Sequence, residues 1–465
     1  MITGNEGLLD WIYSFVNLEA KRTRKLAEEK MKLAKINHLL KSLGNPQQGQ
    51  RIVHIAGSKG KGSLAFLLDV LLRGKGFKTG LYTSPHLLEV RERIRSNNSL
   101  IGVEEFNTGV LRIKSIVDKI EDQALEPTFF DIFTALAFDF FNREKMDIWL
   151  VETGLGGRLD STNVVKPLVS VITSISKEHT DILGERYRDI AREKGGIIKE
   201  NTPVVLTANR KVVVEVIQEI VVEKMAPLYY LPDFYRYKSL GYTRSSSGDI
   251  KQRIKINERI LHTSLLGDYQ AENIALSFLT LRALEEKCTS GFSINLGVDL
   301  ESDLALLENL TFEGRFSHYI REGVDIFVDG AHNAEAAALL AKTVINLQGS
   351  SIIAADQDIV GIIGILKDKD YRGILKAIVP LLDYVYFIEP DTWRECQVEN
   401  YLEIFKSLNS RNIDFTILKA ASLDSRWLMR VIGDYRPRSR RPFCLVASGS
   451  LYTAASILKC LEEEG

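Results

Sequence analysis

Residues 52–63 read Ile-Val-His-Ile-Ala-Gly-Ser-Lys-Gly-Lys-Gly-Ser, an apolar run followed by a glycine-rich turn. The apolar run is rich in β-branched residues, which predicts a buried strand over residues 51–56. A glycine-rich turn over 57–62 follows, and the apolar periodicity of residues 63–73 predicts a helix after it. A strand, a glycine turn and a helix in this order indicate the start of a parallel βα unit.

The glycine turn has the composition of a phosphate-binding loop. Glycines let backbone N–H groups approach phosphate oxygens closely, and the start of the next helix adds a partial positive charge. Lys61 can then reach the β- and γ-phosphates of a nucleotide, while the Ser63 hydroxyl can reach Mg²⁺. The turn departs from the GxxxxGK[ST] pattern because Gly62 separates Lys61 from Ser63. A turn with incidental lysines is the alternative, and the role of Lys59 stays open.

Short β-rich runs and amphipathic helices alternate along most of the chain, which predicts a mostly parallel sheet covered by helices. Before the first strand, a helix is expected over residues 21–43. The tyrosine-rich segment 228–262 breaks the alternation and predicts a small antiparallel layer. The further strands are expected at 79–83, 147–151, 168–174 and 203–207, and then at 325–328, 359–365, 384–388, 415–418 and 443–447.

This pattern places the chain in the α/β class with two domains. Residues 1–310 are expected to form a P-loop-containing, mostly parallel sheet domain with helices on both faces. Residues 311–465 are expected to form a smaller, Rossmann-like α/β domain. A length of 465 residues is consistent with two or three domains.

Composition excludes several classes of protein. Lys and Arg total 60 against 61 Asp and Glu, so no overall basic field exists to hold nucleic acid or an anionic membrane. The four cysteines form no CxxC pair, which argues against a disulfide scaffold and fits a reducing cytosol. The apolar run 359–366 is too short to span a bilayer. We therefore expect a cytoplasmic protein, and a monomer.

Three polar groups follow predicted strands, at the sheet edge where α/β proteins bind ligands. Glu152 ends the apolar run 148–151 and is followed by a glycine-rich turn, as expected of a metal-binding acid opposite a phosphate loop. His179 follows the strand at 168–174. The run Asp-Gly-Ala-His-Asn at 329–333 follows a strand of the second domain. Solvated or ordinary turn residues are the alternative for each group.

Taken together, these motifs resemble the folylpolyglutamate synthase/dihydrofolate synthase family of the Mur ligase superfamily. The similarity runs over nearly the whole chain. The ordered matches are LGNP (43–46), GSKGKGS (57–63), YTSPHL (82–87), ETGLGGRLDSTN (152–163), HTDILG (179–184), REKGGI (192–197), GDYQAEN (267–273), GRF (314–316), DGAHN (329–333), LKDKD (366–370) and GSLY (449–452).

The resemblance implies an ATP-dependent ligase. In the family reaction, ATP phosphorylates a substrate carboxylate to an acyl phosphate, and the amine of L-glutamate then displaces phosphate. The implied substrates are ATP, L-glutamate and dihydropteroate or a reduced folate, and the implied cofactor is Mg²⁺, with two ions. Such chemistry requires positioned phosphates and cations more than a protein nucleophile.

The resemblance also implies roles for individual residues. Lys61, Glu152, His179 and Lys194 would be catalytic, with Lys194 in the place of a lysine that the family carbamylates. The implied ATP-binding residues are Gly57, Gly60, Lys61, Gly62, Ser63, Asn273, Arg315, Asp329 and His332. The implied metal ligands are Ser63, Ser84, Glu152 and His179. The implied folate-binding residues are Thr128, Phe129, Phe130, Asp131, Leu159, Asp160 and Ser161. Glutamate would meet His332 and Ser450.

The chain departs from the family pattern at a few positions. Ser58-Lys59 stands where Thr-Asn is usual, Asp131 where Glu is common, and Gly195 where Ala is usual. None of these changes removes an implied metal or phosphate ligand. The alternatives are a folylpolyglutamate synthase without dihydropteroate activity, a Mur-type ligase acting on a UDP-sugar peptide, and a P-loop switch that uses nucleotide only to change shape.

Overall fold

The fold is described by a computed structural model over residues 6–17, 33–288, 296–297, 299–389, 396–419, 423–424 and 426–463. Much of the predicted helix 21–43 lies outside these residues, and its described part forms the helix Leu33–Ser42. The other α-helices are Glu6–Tyr13, Lys61–Gly74, Val103–Val117, Phe129–Arg143, Thr180–Leu183, Tyr187–Gly195, Lys211–Glu223, Leu231–Phe234, Tyr269–Cys288, Leu300–Ala305, Ala334–Gly349, Tyr371–Ile378, Glu399–Leu408, Trp427–Tyr435 and Leu451–Glu463.

Short 3-10 helices and the strands complete the fold. The 3-10 helices are Val90–Arg93, Gln123–Leu125, Ser161–Val164 and Val379–Leu381. The strands are β1 Ile52–Ala56, β2 Thr79–Tyr82, β3 Ile94–Ser96, β4 Ser99–Leu100, β5 Ile148–Glu152, β6 Val169–Ile172, β7 Val204–Leu206, β8 Leu228–Tyr230, β9 Tyr237–Arg244, β10 Ile250–Ile256, β11 Arg259–Thr263, β12 Arg315–Arg321, β13 Val324–Asp329, β14 Asp358–Ile363, β15 Tyr384–Ile388, β16 Asp414–Leu418 and β17 Phe443–Ser448.

The first sheet is mostly parallel and has β1 near its centre. Within the described residues its strand order is β4-β3-β2-β5-β1-β6-β7-β8. All neighbours from β2 to β8 pair in parallel, whereas β3 and β4 form an antiparallel edge. Every residue of β1 and β5 is buried, so helices cover both faces of the sheet. The predicted α/β class is confirmed.

The parallel arrangement brings the carboxyl ends of β1, β5 and β6 to one edge of the sheet. In register, Ile55 on β1 pairs with Glu152 on β5, and Ala56 pairs with Ile172 on β6. The glycine loop after β1, the glycine-rich turn after β5 and the segment after β6 therefore lie side by side. This edge is where an open α/β sheet binds ligands.

The remaining strands form two further sheets. Among the described residues, β9, β10 and β11 make an antiparallel sheet in the order β11-β10-β9, which confirms the antiparallel layer expected around the tyrosine-rich segment. The first residues of the predicted antiparallel segment lie elsewhere, because Leu228–Tyr230 joins the first sheet as β8. The last sheet has the order β12-β13-β17-β14-β15-β16 and is parallel except at β12.

The chain divides into two compact units. The first comprises Met1–Arg236 and Asn273–Leu306, and the second comprises Tyr237–Glu272 and Leu307–Gly465. The antiparallel segment thus groups with the second unit, and the single boundary expected after residue 310 stays a prediction. Within this unit an ion pair joins the two sheets, since Arg244 on β9 contacts Asp325 on β13 at 2.7 Å. No helix in the described part of the chain is long and apolar enough to cross a membrane.

Candidate active site

The glycine loop requires glycine at two positions. Gly57 has φ 153°, and a Cβ there would lie 1.7 Å from the Thr173 Oγ1 atom. Gly60 has φ 83° and is the N-cap of the helix Lys61–Gly74. A Cβ on Gly60 would lie 2.7 Å from Asn273 Oδ1, so the structure brings Asn273 against this loop. Because a glycine N-cap has no side chain, the first N–H groups of the helix face an open loop that suits an anion.

Lys61 and Glu152 meet beside this loop, as the motif predicts. Lys61 Nζ lies 3.7 Å from Glu152 Oε1, and the side chains are 15% and 4% exposed. The other oxygen, Glu152 Oε2, accepts the backbone N–H of Ser84 at 3.1 Å. A buried carboxylate is stable here because a cation and a backbone donor compensate its charge. Gly62, which precedes Ser63, is also close to Glu152, since a Cβ on Gly62 would lie 3.4 Å from Glu152 Oε2.

Lys194 is buried beneath the same loop. Its Nζ donates to the Gly57 carbonyl oxygen at 2.7 Å and to Glu178 Oε1 at 2.8 Å. Burial lowers the pKa of Lys194, although the charge of Glu178 opposes this shift. Burial alone would raise the pKa of Glu178, but the charges of Lys194 and Lys61 outweigh it and hold that pKa at about 2. Glu178 is thus an anion at neutral pH.

Glu178 was not among the predicted site residues. It lies in the segment Ser176–Asp181, from which only His179 was selected, because a histidine at a strand end is the more conspicuous group. No local pattern indicates that its carboxylate pairs with Lys194, which is 16 residues away in the chain. The ion pair anchors the helix Tyr187–Gly195 to the segment after β6, and the hydrogen bond of Lys194 to Gly57 anchors it to the loop after β1.

The Glu178–Lys194 pair predicts a specific pH dependence of stability. The pKa of Glu178 falls from 4.5 to about 2 on folding, so its stabilisation is complete above pH 4.5 and is lost as pH falls toward 2. We expect Glu178→Gln to lower the free energy of unfolding by about 2–3 kcal/mol at pH 7, and by progressively less below pH 4.5. Urea unfolding at several pH values measures this difference. The exposed Glu223→Gln is the control, and a difference for Glu178→Gln that stays constant with pH would contradict the assignment.

The metal ligands implied by the resemblance are oxygen-rich, which suits Mg²⁺. Glu152 and the Ser84 backbone are in contact, and Ser63 lies in the first turn of the helix after the loop. His179 has φ 48° and is the N-cap of the short helix Thr180–Leu183. Within the described residues, no three His, Cys, Asp or Glu side chains form a metal site by themselves. A Mg²⁺ ion at Glu152 would therefore take hydroxyl, water or phosphate oxygens as its other ligands.

Four of the predicted folate-binding residues, Thr128, Phe129, Phe130 and Asp131, lie at the start of the helix Phe129–Arg143, and Ser161 contacts it from the turn after β5. Thr128 is its N-cap and forms a reciprocal capping box with Asp131. Asp131 Oδ2 accepts the Thr128 N–H and hydroxyl, while Oδ1 accepts the Ser161 hydroxyl at 2.5 Å. Burial raises the pKa of Asp131 against these hydrogen bonds. Its carboxylate thus joins two parts of the predicted folate site, and its contact with a pterin stays a prediction.

Aromatic and polar groups surround this capping box. The Phe130 ring lies 5.7 Å from the Tyr82 ring, and the same ring fills the space beside Gly154. Phe129 is buried in the core, while Leu159 is half-buried. Asp160 is buried, and its burial raises its pKa to about 6 even though backbone N–H groups donate to it. Phe130 and Leu159 are therefore the predicted folate residues with accessible apolar surface.

The other predicted residues lie in the second unit. Arg315 and Asp329 are paired in register across β12 and β13. Burial raises the pKa of Asp329 to about 6, although the charge of Arg315 opposes the shift. His332 Nδ1 contacts the Gly330 carbonyl oxygen at 2.9 Å. The Ser450 hydroxyl contacts the Thr453 hydroxyl at 2.9 Å and accepts its N–H, which gives it a capping position. The assignments of these residues to ATP and glutamate stay predictions.

Comparisons with known proteins identify the family of the chain. Residues 55–281 match the Mur ligase middle domain family. The dihydrofolate synthase/folylpolyglutamate synthase of Bacillus subtilis is 34% identical over 367 residues, which are 77% of this chain and 81% of that protein. The chain belongs to the dihydrofolate synthase/folylpolyglutamate synthase family. The resemblance inferred from the sequence motifs is thereby confirmed.

Solved structures of the family share the fold. A Mycobacterium tuberculosis folylpolyglutamate synthase complexed with ADP and AMPPCP has a TM-score of 0.78 and 27% identity, covering 93% of this chain and 96% of that chain. An FPGS–AMPPCP–folate complex has a TM-score of 0.74 and 26% identity, covering 98% of each chain. These relatives therefore bind an ATP analogue and, in the second case, folate.

Proposed function

We propose that this protein is an ATP-dependent ligase that adds L-glutamate to dihydropteroate, to a reduced folate, or to both. The observation that carries the proposal is the convergence of Lys61, Glu152 and Lys194 on the glycine loop. Membership of a family whose Bacillus subtilis member carries both activities supports the choice of substrates. The cytoplasmic location and the monomeric state stay predictions from composition.

In this proposal the glycine loop holds ATP by its phosphates. The N–H groups at the start of the helix Lys61–Gly74 point at phosphate oxygens, and Lys61 contributes the mobile cation. A carboxylate oxygen of the acceptor attacks the γ-phosphorus, and ADP leaves, which yields an acyl phosphate. The glutamate amine then attacks the acyl carbon, and phosphate leaves with the bonding electrons. Positioning and charge stabilisation supply most of the catalysis in such a reaction.

Mg²⁺ fits the oxygen donors of the first unit. Ser63, Ser84 and Glu152 would hold it, with His179 as a further ligand by family resemblance. When bound with ATP, the ion neutralises phosphate charge during phosphoryl transfer. Lys61 Nζ lies 3.7 Å from Glu152 Oε1. When ATP binds, this ammonium group would contact a phosphate oxygen in place of the carboxylate.

Carbamylation of Lys194 is part of the proposal. The reaction of an amine with CO₂ requires the neutral amine, and burial lowers the pKa of Lys194 toward that form. A carbamate at this position would add a negative charge near Glu178, so a cation would be required beside it. The second Mg²⁺ ion implied by the resemblance would supply that charge.

The test is product formation by purified protein with ATP, Mg²⁺ and L-glutamate, comparing 7,8-dihydropteroate with tetrahydrofolate as acceptor. Glutamylated product from both acceptors is the expected result. Product from tetrahydrofolate alone would leave a folylpolyglutamate synthase and direct attention to Asp131 and Ser161. No product from either acceptor, despite ATP binding, would overturn the proposal and favour a Mur-type ligase or a nucleotide switch.

A further inference from the structure

A chain of buried polar groups runs from the first strand to the turn after β5. His54, on β1, is fully buried, and its Nε2 lies 2.8 Å from Thr162 Oγ1. Thr162 Oγ1 in turn donates to Asp160 Oδ1 at 2.5 Å. A polar side chain inside an apolar sheet is unfavourable unless it is hydrogen-bonded, and the Thr162 contact satisfies Nε2 of His54 while Nδ1 has no hydrogen-bond partner among the described residues.

The direction of each hydrogen bond follows from Asp160. Its Oδ2 accepts the Leu155 N–H at 2.9 Å and its Oδ1 accepts the Thr162 N–H at 3.0 Å. The ionised carboxylate only accepts, so the Thr162 hydroxyl donates to it and must itself accept from His54 Nε2–H. His54 is thereby fixed as the Nε2–H tautomer. Burial lowers its pKa to about 3, with a smaller effect from the charge of Lys199, so the ring is neutral at working pH.

The hydrogen bonds from His54 through Thr162 to Asp160 hold the turn 154–163, and this turn contacts both sides of the proposed active site. On one side, Ser161 donates to Asp131 at the start of the predicted folate helix. On the other side, the Arg158 N–H donates to the Glu193 carbonyl oxygen at 2.7 Å, next to Lys194. Gly157 packs so tightly there that a Cβ would lie 2.8 Å from the Lys194 carbonyl oxygen. A shift of this turn would therefore disturb both the Ser161–Asp131 contact and the contact of Arg158 with the helix that carries Lys194.

We propose that His54 is a positioning residue of the ligase, which fixes the turn 154–163 through Thr162 and thereby sets the placement of the acceptor-binding residues relative to Lys194. The inference rests on the proposed function for its kinetic consequence. The hydrogen-bond chain itself is independent of that function. A purely structural histidine would affect stability but not the placement of the turn.

His54→Leu removes the donor, and His54→Gln retains an N–H that can reach Thr162. We expect His54→Leu to raise KM for the folate acceptor about 10-fold or more while KM for ATP changes less than about twofold, because a small displacement of positioned groups has large kinetic effects. His54→Gln should restore most of the loss. Thr162→Val should reproduce His54→Leu, and the double variant should be no worse than either single variant.

Hydrogen–deuterium exchange of the peptide spanning residues 154–163 gives a second readout that needs no activity. Exchange there should rise in His54→Leu and Thr162→Val and stay near the wild-type level in His54→Gln. Val216→Ala, which opens a cavity in the core of the same unit, controls for general destabilisation. If His54→Leu lowers the thermal midpoint as Val216→Ala does, with acceptor KM and exchange of the turn unchanged, the inference is overturned.

The two readouts separate this inference from the proposed function. An inactive wild-type protein whose turn exchanges faster in His54→Leu would overturn the ligase assignment while supporting the positioning of the turn. If the wild-type protein is active and the exchange of its turn 154–163 is unchanged by His54→Leu, only the inference about His54 is overturned. If His54→Leu does not fold, the comparison of Thr162→Val with Thr162→Ser carries the same test, because serine keeps the hydroxyl between His54 and Asp160.

Discussion

Lys61→Ala is expected to reduce kcat/KM of the glutamate ligase by about 10²–10³, with most of the loss in kcat. Lys61 is the cation at the start of the glycine-loop helix, and its Nζ lies 3.7 Å from Glu152 Oε1. The Lys61 ammonium stabilises the negative charge that shifts between the phosphates in the transition state. Its removal therefore affects the transition state more than ground-state binding. Steady-state rates with saturating acceptor and glutamate, at varied ATP, measure the effect.

The control for this variant is another lysine at a similar helical position. Lys211 begins the helix Lys211–Glu223, and its side chain is 92% exposed. Lys211→Ala should leave the rate within about twofold of wild type, because a solvated charge contributes little. A Lys61→Ala protein that folds and keeps full ligase activity would contradict the assignment of residues 57–63 as the phosphate loop.

Gly57→Ala is expected to abolish activity at assay sensitivity and to lower the free energy of unfolding by about 2–4 kcal/mol. A Cβ at this position would lie 1.7 Å from Thr173 Oγ1 and 3.2 Å from Thr173 Cα, so the loop or the end of β6 must move. The Gly57 carbonyl oxygen also accepts from Lys194 Nζ at 2.7 Å. The substitution therefore displaces the phosphate loop and the buried lysine together.

Gly76→Ala is the matched control for this prediction. Gly76 also has a positive φ, 85°, but a Cβ there would have nothing within 4 Å. Only backbone strain of about 1–2 kcal/mol is expected, and activity should be retained at temperatures where the protein is folded. Thermal unfolding of both variants, together with their ligase rates, separates strain from steric displacement. Equal losses of activity in the two variants would contradict the steric argument.

Much of the fold was predictable because its decisive signals are local. The first strand was expected at residues 51–56 and is found at Ile52–Ala56, since an apolar β-branched run between polar segments has few alternatives. The helix after it begins at Lys61 rather than Ser63, because Gly60 with φ 83° caps it earlier than apolar periodicity suggests. Leu228–Tyr230 was expected in the antiparallel layer but pairs with β7 in the first sheet, because the sequence of a short strand does not indicate which strand it pairs with.

Pairings between distant side chains were not predictable from the sequence. The contact of Glu178 with Lys194 and the contact of His54 with Thr162 join segments that only the sheet topology brings together. His54 also looks like an ordinary interior residue of an apolar strand. In contrast, Lys61 and Glu152 were predicted to lie together because both follow parallel strands of a recognisable motif. Their catalytic roles stay predictions.

In the proposed mechanism, ATP phosphorylates the acceptor carboxylate before glutamate adds. This step can be followed with an acceptor whose carboxylate oxygens are both ¹⁸O, by analysing the released phosphate with ³¹P NMR or mass spectrometry. We expect one ¹⁸O atom per turnover in inorganic phosphate, because the acyl phosphate loses phosphate with the bridging carboxylate oxygen. Glutamylated product formed together with unlabelled phosphate would rule out the acyl phosphate.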